Sequence, residues 1–236
     1  MLRSFESQKD LDIEALIAFN DELRGILLDI DSGEIFATSR YSEDEFQELL
    51  ASFVANQRDS LGRTKPGSWS IVPDDRGMDS DARVEFIFTP TYLVTAIMTR
   101  VLCDYPSLTE HIPNYKEALK RGMLFCSYRR LYGHGYDALK GAAEALTILS
   151  MGKIPQVLEQ ERQLCPELYR SIVEVTKEME NSLSEGSASG MWGESLQGEF
   201  SSSLETLYIM NDKKTMEAIA NIGEDSELLS EEDLPW

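Results

Sequence analysis

The sequence predicts a mainly α-helical protein, a compact multi-helix domain with a small β element near its N-terminus. Three observations support this fold class. Apolar residues recur at helical spacing through most of the chain after residue 89. Prolines and glycines divide that part of the chain into segments of ordinary helix length. A hydrophobic content of 42% over 236 residues is enough to build a substantial core.

The first 60 residues predict two helices with a β-hairpin between them. The first helix covers about residues 10–23. In residues 25–38 a glycine-bearing turn separates two short apolar runs, which favours a hairpin; continuation of the first helix through Leu28 is the alternative. A second helix begins after Ser42, which forms a capping box with Glu45. The apolar residues expected on one side of the first helix are Ile13, Leu16, Ile17 and Leu23.

Residues 57–81 predict a long loop, because glycine and proline recur there among charged and polar positions. Short strands are expected at 69–72 and 83–88, where they would complete the β element. We take the loop as an internal boundary. The predicted division is an N-terminal helix–hairpin–helix segment at 1–81, a central helical domain at 82–183, and an acidic C-terminal segment at 184–236 packed on it.

The central domain reads as a series of helices with clear starts and stops. Pro90 stands at the first position of one helix, where a proline is well tolerated. Gly133 and Gly152 each follow a helical apolar pattern, as glycines at helix ends commonly do. The predicted helices cover about 89–104, 114–131, 136–151, 155–163 and 166–183.

Acidic charge is concentrated at both ends of the chain. The whole protein has 22 basic and 42 acidic residues, a formal net charge of −20. Residues 1–60 carry 5 basic and 14 acidic side chains, and residues 184–236 carry 2 and 12. The centre at 111–183 is balanced, with 10 basic and 9 acidic residues. A chain of this charge repels phosphate backbones, so we expect no direct binding to nucleic acid and favour a basic protein partner.

The compartment prediction rests on the cysteines and on the absence of an apolar leader. Cys103, Cys126 and Cys165 form no close pair, which suits a reducing cytoplasm. The longest apolar stretch, 86–103, is interrupted by Arg100 and by several threonines, which favours a buried helix over a membrane span. We therefore predict a soluble cytoplasmic protein that does not enter a membrane.

No pattern in the sequence indicates a metal ion or a cofactor. The two histidines, His111 and His134, are separated by a predicted helix and do not have ligand spacing. There is no cysteine cluster and no glycine-rich loop that follows a strand. We therefore predict no metal site and no cofactor, and the sequence does not decide whether a divalent ion binds to some of its many carboxylates.

The residues 129–137 contain the one constellation that suggests ligand chemistry. Two glycines flank His134 between two predicted helices, in the locally basic part of the chain. A helix N-terminus there would attract an anion, two arginines would clamp it, and the histidine would transfer a proton near neutral pH. A plain helix connection is the alternative. The candidate ligand-binding residues are Arg129, Arg130, Tyr132, His134, Tyr136 and Asp137, and His134 is also the catalytic candidate.

The last 14 residues, 223–236, alternate acidic and apolar side chains. Such a segment can dock into a groove that has a basic rim and an apolar floor, either on a partner or on this protein's own basic centre. The candidate partner-binding residues are Leu228, Leu229, Leu234 and Trp236.

Two functional hypotheses follow from these patterns. The first is an acidic interaction or regulatory protein that binds a basic protein partner through its ends and has no catalytic signature. The second is an enzyme or sensor for a small anionic ligand at residues 129–137. The sequence does not identify the partner, the substrate or the oligomeric state.

Overall fold

A computed structural model describes residues 13–37, 40–72, 74–128, 131 and 138–189. Within this part of the chain the protein is mainly helical and contains no β-strand. The helices are α1 at Ile13–Asp31, α2 at Glu43–Asn56, α3 at Ser80–Arg83, α4 at Thr89–Asp104, α5 at Tyr115–Ser127, α6 at Ala138–Met151, α7 at Ile154–Gln160 and α8 at Pro166–Ser189.

The α4 helix is the centre of the fold. A π-helical turn at Val84–Phe88 joins α3 directly to it, and a 3₁₀ turn at Pro106–Leu108 follows it. Almost every residue of α4 is buried, because α1, α5, α6 and α7 all pack against it. The buried hydroxyls of Thr91, Thr95 and Thr99 each donate a hydrogen bond to the carbonyl four residues earlier, so they add no unsatisfied polar group to the core.

By length and composition the 21-residue run Val84–Asp104 would be able to cross a membrane. In the fold, 78% of its most apolar window is buried inside the protein. A helix enclosed by other helices must itself be apolar on all sides, and this explains its composition without a bilayer.

The loop between α2 and α3 enters the core at Trp69. The Trp69 side chain is fully buried, and its Nε1 donates a hydrogen bond of 2.7 Å to the carbonyl of Phe53 at the end of α2. On the other side the ring lies against Gly122 of α5, where there is no room for a Cβ. The predicted division of the chain at residues 1–81, 82–183 and 184–236 stays a prediction.

The predicted N-terminal β element is wrong. Residues 25–30, the proposed first strand, are the second half of α1, and 83–88 belong to α3 and the π-helical turn. The only pairings among the described residues are two isolated bridges, Arg58 with Ser68 and Leu61 with Thr64. The buried residues Leu23, Ile26, Leu27 and Ile30 of α1 have the helical spacing of three and four, which decides the conformation despite Gly25.

The other predicted helices are confirmed, although their ends differ from the predicted ones by up to eight residues. Ser42 and Glu45 form the complete capping box at the start of α2. Pro90 lies in the first turn of α4. The α8 helix continues to Ser189, past the predicted end at residue 183.

Candidate functional site

A groove lies between α1 and α6, and α4 forms part of its floor. Its volume is about 390 Å³, within the range of about 300–1,000 Å³ that ligand-binding pockets usually have. The lining residues are Arg24, Leu27, Leu28, Leu93, Glu144, Thr147, Ile148 and Met151.

The groove has an apolar floor because three helices each contribute a buried apolar side chain to it. Leu27 of α1, Leu93 of α4 and Ile148 of α6 are buried and supply that floor. The hydroxyl of Thr147 donates a hydrogen bond of 2.8 Å to the Ala143 carbonyl, so its proton is used within α6. A molecule that covers the floor would therefore make mainly apolar contacts and would not need to accept a hydrogen bond from Thr147.

One ion pair crosses the groove from α1 to α6. Arg24 Nη2 lies 2.6 Å from Glu144 Oε1, and Arg24 Nη1 lies 3.7 Å from Asp21 Oδ1. The side chains of Arg24 and Glu144 are each 36% exposed. An ion pair this exposed contributes at most about 1 kcal/mol to stability. Both charged groups are therefore accessible from the groove and can be reached by a partner.

The groove continues along α1 as an exposed apolar stripe. Ile13, Ile17 and Leu28 are 53%, 47% and 57% exposed, and they are among the few large apolar side chains with such exposure in the described part of the chain. Their spacing places them on one face of α1, together with Arg24. At 1.5 Å per residue, Ile13 and Leu28 are about 22 Å apart along the helix. Asn20, Asp21 and Arg24 lie between Ile17 and Leu28 on this side of the helix, so the stripe has one apolar part at Ile13 and Ile17 and another at Leu28 beside the groove.

This arrangement corrects one part of the sequence prediction for α1. Leu16 and Leu23 are buried as expected, but Ile13 and Ile17, expected on the same side, are exposed. The apolar residues of α1 cover an arc wider than one buried stripe, and that width was the available signal for a second surface.

A network of charged groups fixes the end of the groove. Arg100 Nη1 donates hydrogen bonds to Asp31 Oδ1 at 2.6 Å and to the Met151 carbonyl at 2.8 Å. Asp104 binds both Arg100 and Lys153. Burial raises the pKa of Asp104, but the bonds from Lys153 and Arg100 outweigh it and hold the pKa below its usual value. The C-terminal ends of α1, α4 and α6 are thereby held together.

The rim of the groove on α1 is acidic. The helix carries five carboxylates and one guanidinium, a net charge of −4. Two of the carboxylates are paired with arginines outside α1: Asp29 with Arg40 at 3.0 Å and Asp31 with Arg100 at 2.6 Å. Glu22 accepts a hydrogen bond of 3.2 Å from the Tyr41 hydroxyl, so Glu14 and Asp21 are the carboxylates of α1 on the side of Ile13 and Ile17.

The described residues do not assemble a reactive centre of a familiar kind. Among them no group of three or more histidine, cysteine or acidic side chains is placed to hold a metal ion. Burial raises the pKa of the Cys126 thiol strongly, and burial raises that of Cys165 to about 11. Both thiols are protonated at neutral pH, so neither is an activated nucleophile.

The six candidate ligand residues, Arg129, Arg130, Tyr132, His134, Tyr136 and Asp137, lie outside the described residues. So do the four candidates of the C-terminal tail, Leu228, Leu229, Leu234 and Trp236. Two neighbours of the first group are described. Tyr128 is 40% exposed at the end of α5, and Leu131 is buried with a left-handed backbone at φ 49°.

Comparisons with protein-family models, with curated proteins and with solved structures find no match for this chain. The groove between α1 and α6 is therefore interpreted from its own geometry and charge.

Proposed function

We propose that this chain is an interaction or regulatory protein that binds a basic segment of a partner protein in the groove between α1 and α6. The observation that supports the proposal best is the exposed apolar stripe of α1, which continues the groove under an acidic rim. Exposed apolar side chains beside a groove and bordered by charged groups are typical of a protein-binding site.

The charge of the surface favours a basic occupant. By helical spacing Glu14 and Asp21 lie on the stripe side of α1 near Arg24, and Glu144 adds a further carboxylate across the groove. Residues 1–60 as a whole have a net charge of −9. Such a surface attracts a cationic segment during encounter and repels an anionic one.

The shape of the surface favours an amphipathic helix. The groove and stripe extend about 22 Å along α1, the length of about four helical turns. A helix laid along it would place residues at positions i, i+4, i+7 and i+11 over the apolar floor, as in other helix-in-groove complexes. The tail residues Leu228, Leu229, Leu234 and Trp236, interleaved with carboxylates, are proposed as a second contact with the same basic partner.

The proposal is tested with two synthetic helical peptides of equal length and identical leucine positions. One carries lysine at its polar positions and the other carries glutamate. Fluorescence anisotropy measures binding of each to the full chain, and backbone amide shifts in NMR map the surface. We expect saturable binding of the lysine peptide, shifts concentrated in α1 and α6, and no binding of the glutamate peptide.

Two variants make the test specific to the groove. Leu28→Ser removes one exposed apolar contact of about 1.4 kcal/mol, so the dissociation constant should rise roughly tenfold. Tyr128→Ser is the matched control, because Tyr128 is also an exposed apolar side chain but lies at the end of α5. Equal binding of both peptides, or equal effects of both variants, would show that the groove is not the binding site.

A second candidate function is the sensor or enzyme for a small anion at residues 129–137. Buried Leu131 supports it, since a non-glycine residue with positive φ is strained, and such strain is concentrated at functional sites. Thermal unfolding against nucleotides, anionic metabolites and divalent ions tests it. A saturable stabilisation that disappears in His134→Ala supports this function, and a stabilisation that persists in the variant contradicts it.

A further inference from the structure

The ion pair that crosses the groove carries a more specific inference, which rests on the function proposed above. We infer that Glu144 determines the specificity of the groove by exchanging Arg24 for a cationic side chain of the partner. The groove then selects a segment in which a lysine or arginine lies about one helical turn from an apolar anchor.

The first argument is the charge balance at the rim. Arg24 is shared by two carboxylates, at 2.6 Å from Glu144 and 3.7 Å from Asp21. Among the side chains that the structure describes, these two carboxylates and one guanidinium have a net charge of −1. A second cation brought by the partner completes two pairs and makes the cluster neutral.

The second argument is that the exchange leaves no charge without a partner. Asp21 lies three residues before Arg24 on α1, so Arg24 stays within reach of it when Glu144 is taken over. Glu144 is then free to accept the incoming cation from the other side of the groove. Because both pairs are well exposed, breaking one and forming another has a small net cost.

The third argument is the position of the pair relative to the apolar floor. Thr147 and Ile148 follow Glu144 by three and four residues on α6, and Leu27 and Leu28 follow Arg24 by the same spacing on α1. The charged rim and the apolar floor are therefore one helical turn apart, about 5.4 Å. A partner helix meets both with a cation and an anchor at positions i and i+4 or i and i+3.

An anionic group of the partner would increase the net negative charge of this cluster instead of neutralising it. If Arg24 received a carboxylate from the partner, three carboxylates would share one guanidinium, and the net charge would fall to −2. The cluster therefore discriminates in favour of cations.

The experiment uses the lysine peptide of the previous section and a second peptide in which one lysine, a helical turn from the anchor leucine, is replaced by norleucine. Norleucine keeps the length of the side chain and removes its charge. Binding of both peptides is measured to the wild-type chain, to Glu144→Gln and to Asp59→Asn. Asp59 is the matched control, because it forms a 2.6 Å pair with Arg121 at an exposed site outside the groove.

We expect Glu144→Gln to weaken binding of the lysine peptide about three- to fivefold, the size expected for an exposed pair, and to leave the norleucine peptide unchanged. Asp59→Asn should change neither peptide. Arg24→Gln should strengthen binding of the lysine peptide, because it removes the cation that competes for Glu144. A residue that only supports the fold would not produce this gain.

The outcomes separate the two proposals. If the lysine peptide does not bind the wild-type chain, or if Leu28→Ser has no effect, the function proposed for the groove is wrong and the inference fails with it. If both peptides bind and Leu28→Ser weakens both, but Glu144→Gln affects them equally, only the role of Glu144 is refuted. Weaker binding of the lysine peptide to Arg24→Gln would also refute the exchange.

Discussion

The close packing of Trp69 against Gly122 gives a prediction with a definite sign. A Cβ added at Gly122 would lie 2.8 Å from Trp69 Cη2 and from Thr95 Oγ1, and closer still to another carbon of the ring. Ordinary contacts to carbon are about 3.5–4.0 Å. The substitution Gly122→Ala therefore forces a displacement in the core.

The magnitude depends on two opposing effects. Replacing glycine by alanine inside a helix stabilises it by about 1 kcal/mol. Overpacking a core costs about 1–3 kcal/mol. The upper part of that range applies here because both neighbours are held: Trp69 donates to the Phe53 carbonyl at 2.7 Å, and Thr95 donates to the Thr91 carbonyl at 2.7 Å. Subtracting the helical gain of about 1 from a cost of about 3 leaves a net loss of about 2 kcal/mol.

The assay is urea unfolding followed by far-UV circular dichroism, with Gly25→Ala as the control. A Cβ at Gly25 also meets a neighbour closely, 2.6 Å from Arg40 Nη1, but that neighbour is the end of a flexible and partly exposed side chain. We expect Gly25→Ala to be at least as stable as the wild-type protein and Gly122→Ala to have a lower midpoint at the same slope. If Gly122→Ala is as stable as Gly25→Ala, the packing argument for the Trp69 site is refuted.

Three further predictions concern buried and charged groups. Asp75→Ala should cost about 1–3 kcal/mol in urea unfolding, because the fully buried carboxylate accepts a 2.7 Å hydrogen bond from the Arg63 amide and pairs with Arg83, and both lose this partner; an unchanged midpoint would contradict this. In the native protein a thiol reagent should modify Cys103 alone among the three cysteines, with Cys126 and Cys165 reacting only after unfolding, as counted by mass spectrometry. The lowered pKa of Asp104 stabilises the fold above the unfolded value of about 4, and this contribution is lost as the pH falls through the folded value. The variant Asp104→Asn should therefore be destabilised at neutral pH and converge with the wild type in acid.

The helices were predictable where local chemistry and apolar spacing agree. The capping box of Ser42 and Glu45 defines the start of α2, and Pro90 defines the start of α4. These signals act within a few residues, so they are visible without knowledge of the neighbouring helices.

The glycines of residues 25–38 favour a hairpin, whereas the apolar spacing of the same segment favours a helix, and the structure follows the apolar spacing. Gly25 and the turn near Gly33 suggested a hairpin, but burying Leu23, Ile26 and Ile30 against α4 outweighs the helix cost of one glycine, which is about 1 kcal/mol. Residues 83–88 contain four apolar side chains and continue into the buried central helix, and a short, largely apolar run does not distinguish a strand from a buried helical segment.

The groove was not predictable from the sequence, because it depends on contacts between distant residues. Arg24 and Glu144 are 120 positions apart, and no local pattern pairs them. Leu28 and its neighbour Leu27 are equally apolar and both line the groove, and only the tertiary packing decides that Leu27 is buried and Leu28 is 57% exposed. The apolar residues of α1 cover more of the helix than one buried face requires, which indicates a second apolar surface but not which element or molecule contacts it.

The charge of the chain limits which segment can occupy this groove. The tail at 223–236 carries six carboxylates and no cation, so placing it beside Asp21 and Glu144 would add like charges to a rim that already lacks one cation. A basic partner segment has no such penalty, and it is also the partner that an acidic and apolar tail would attract. The groove and the tail therefore suit the same partner chemistry. Two weak contacts carried by one chain would raise the effective affinity for that partner well beyond either contact alone.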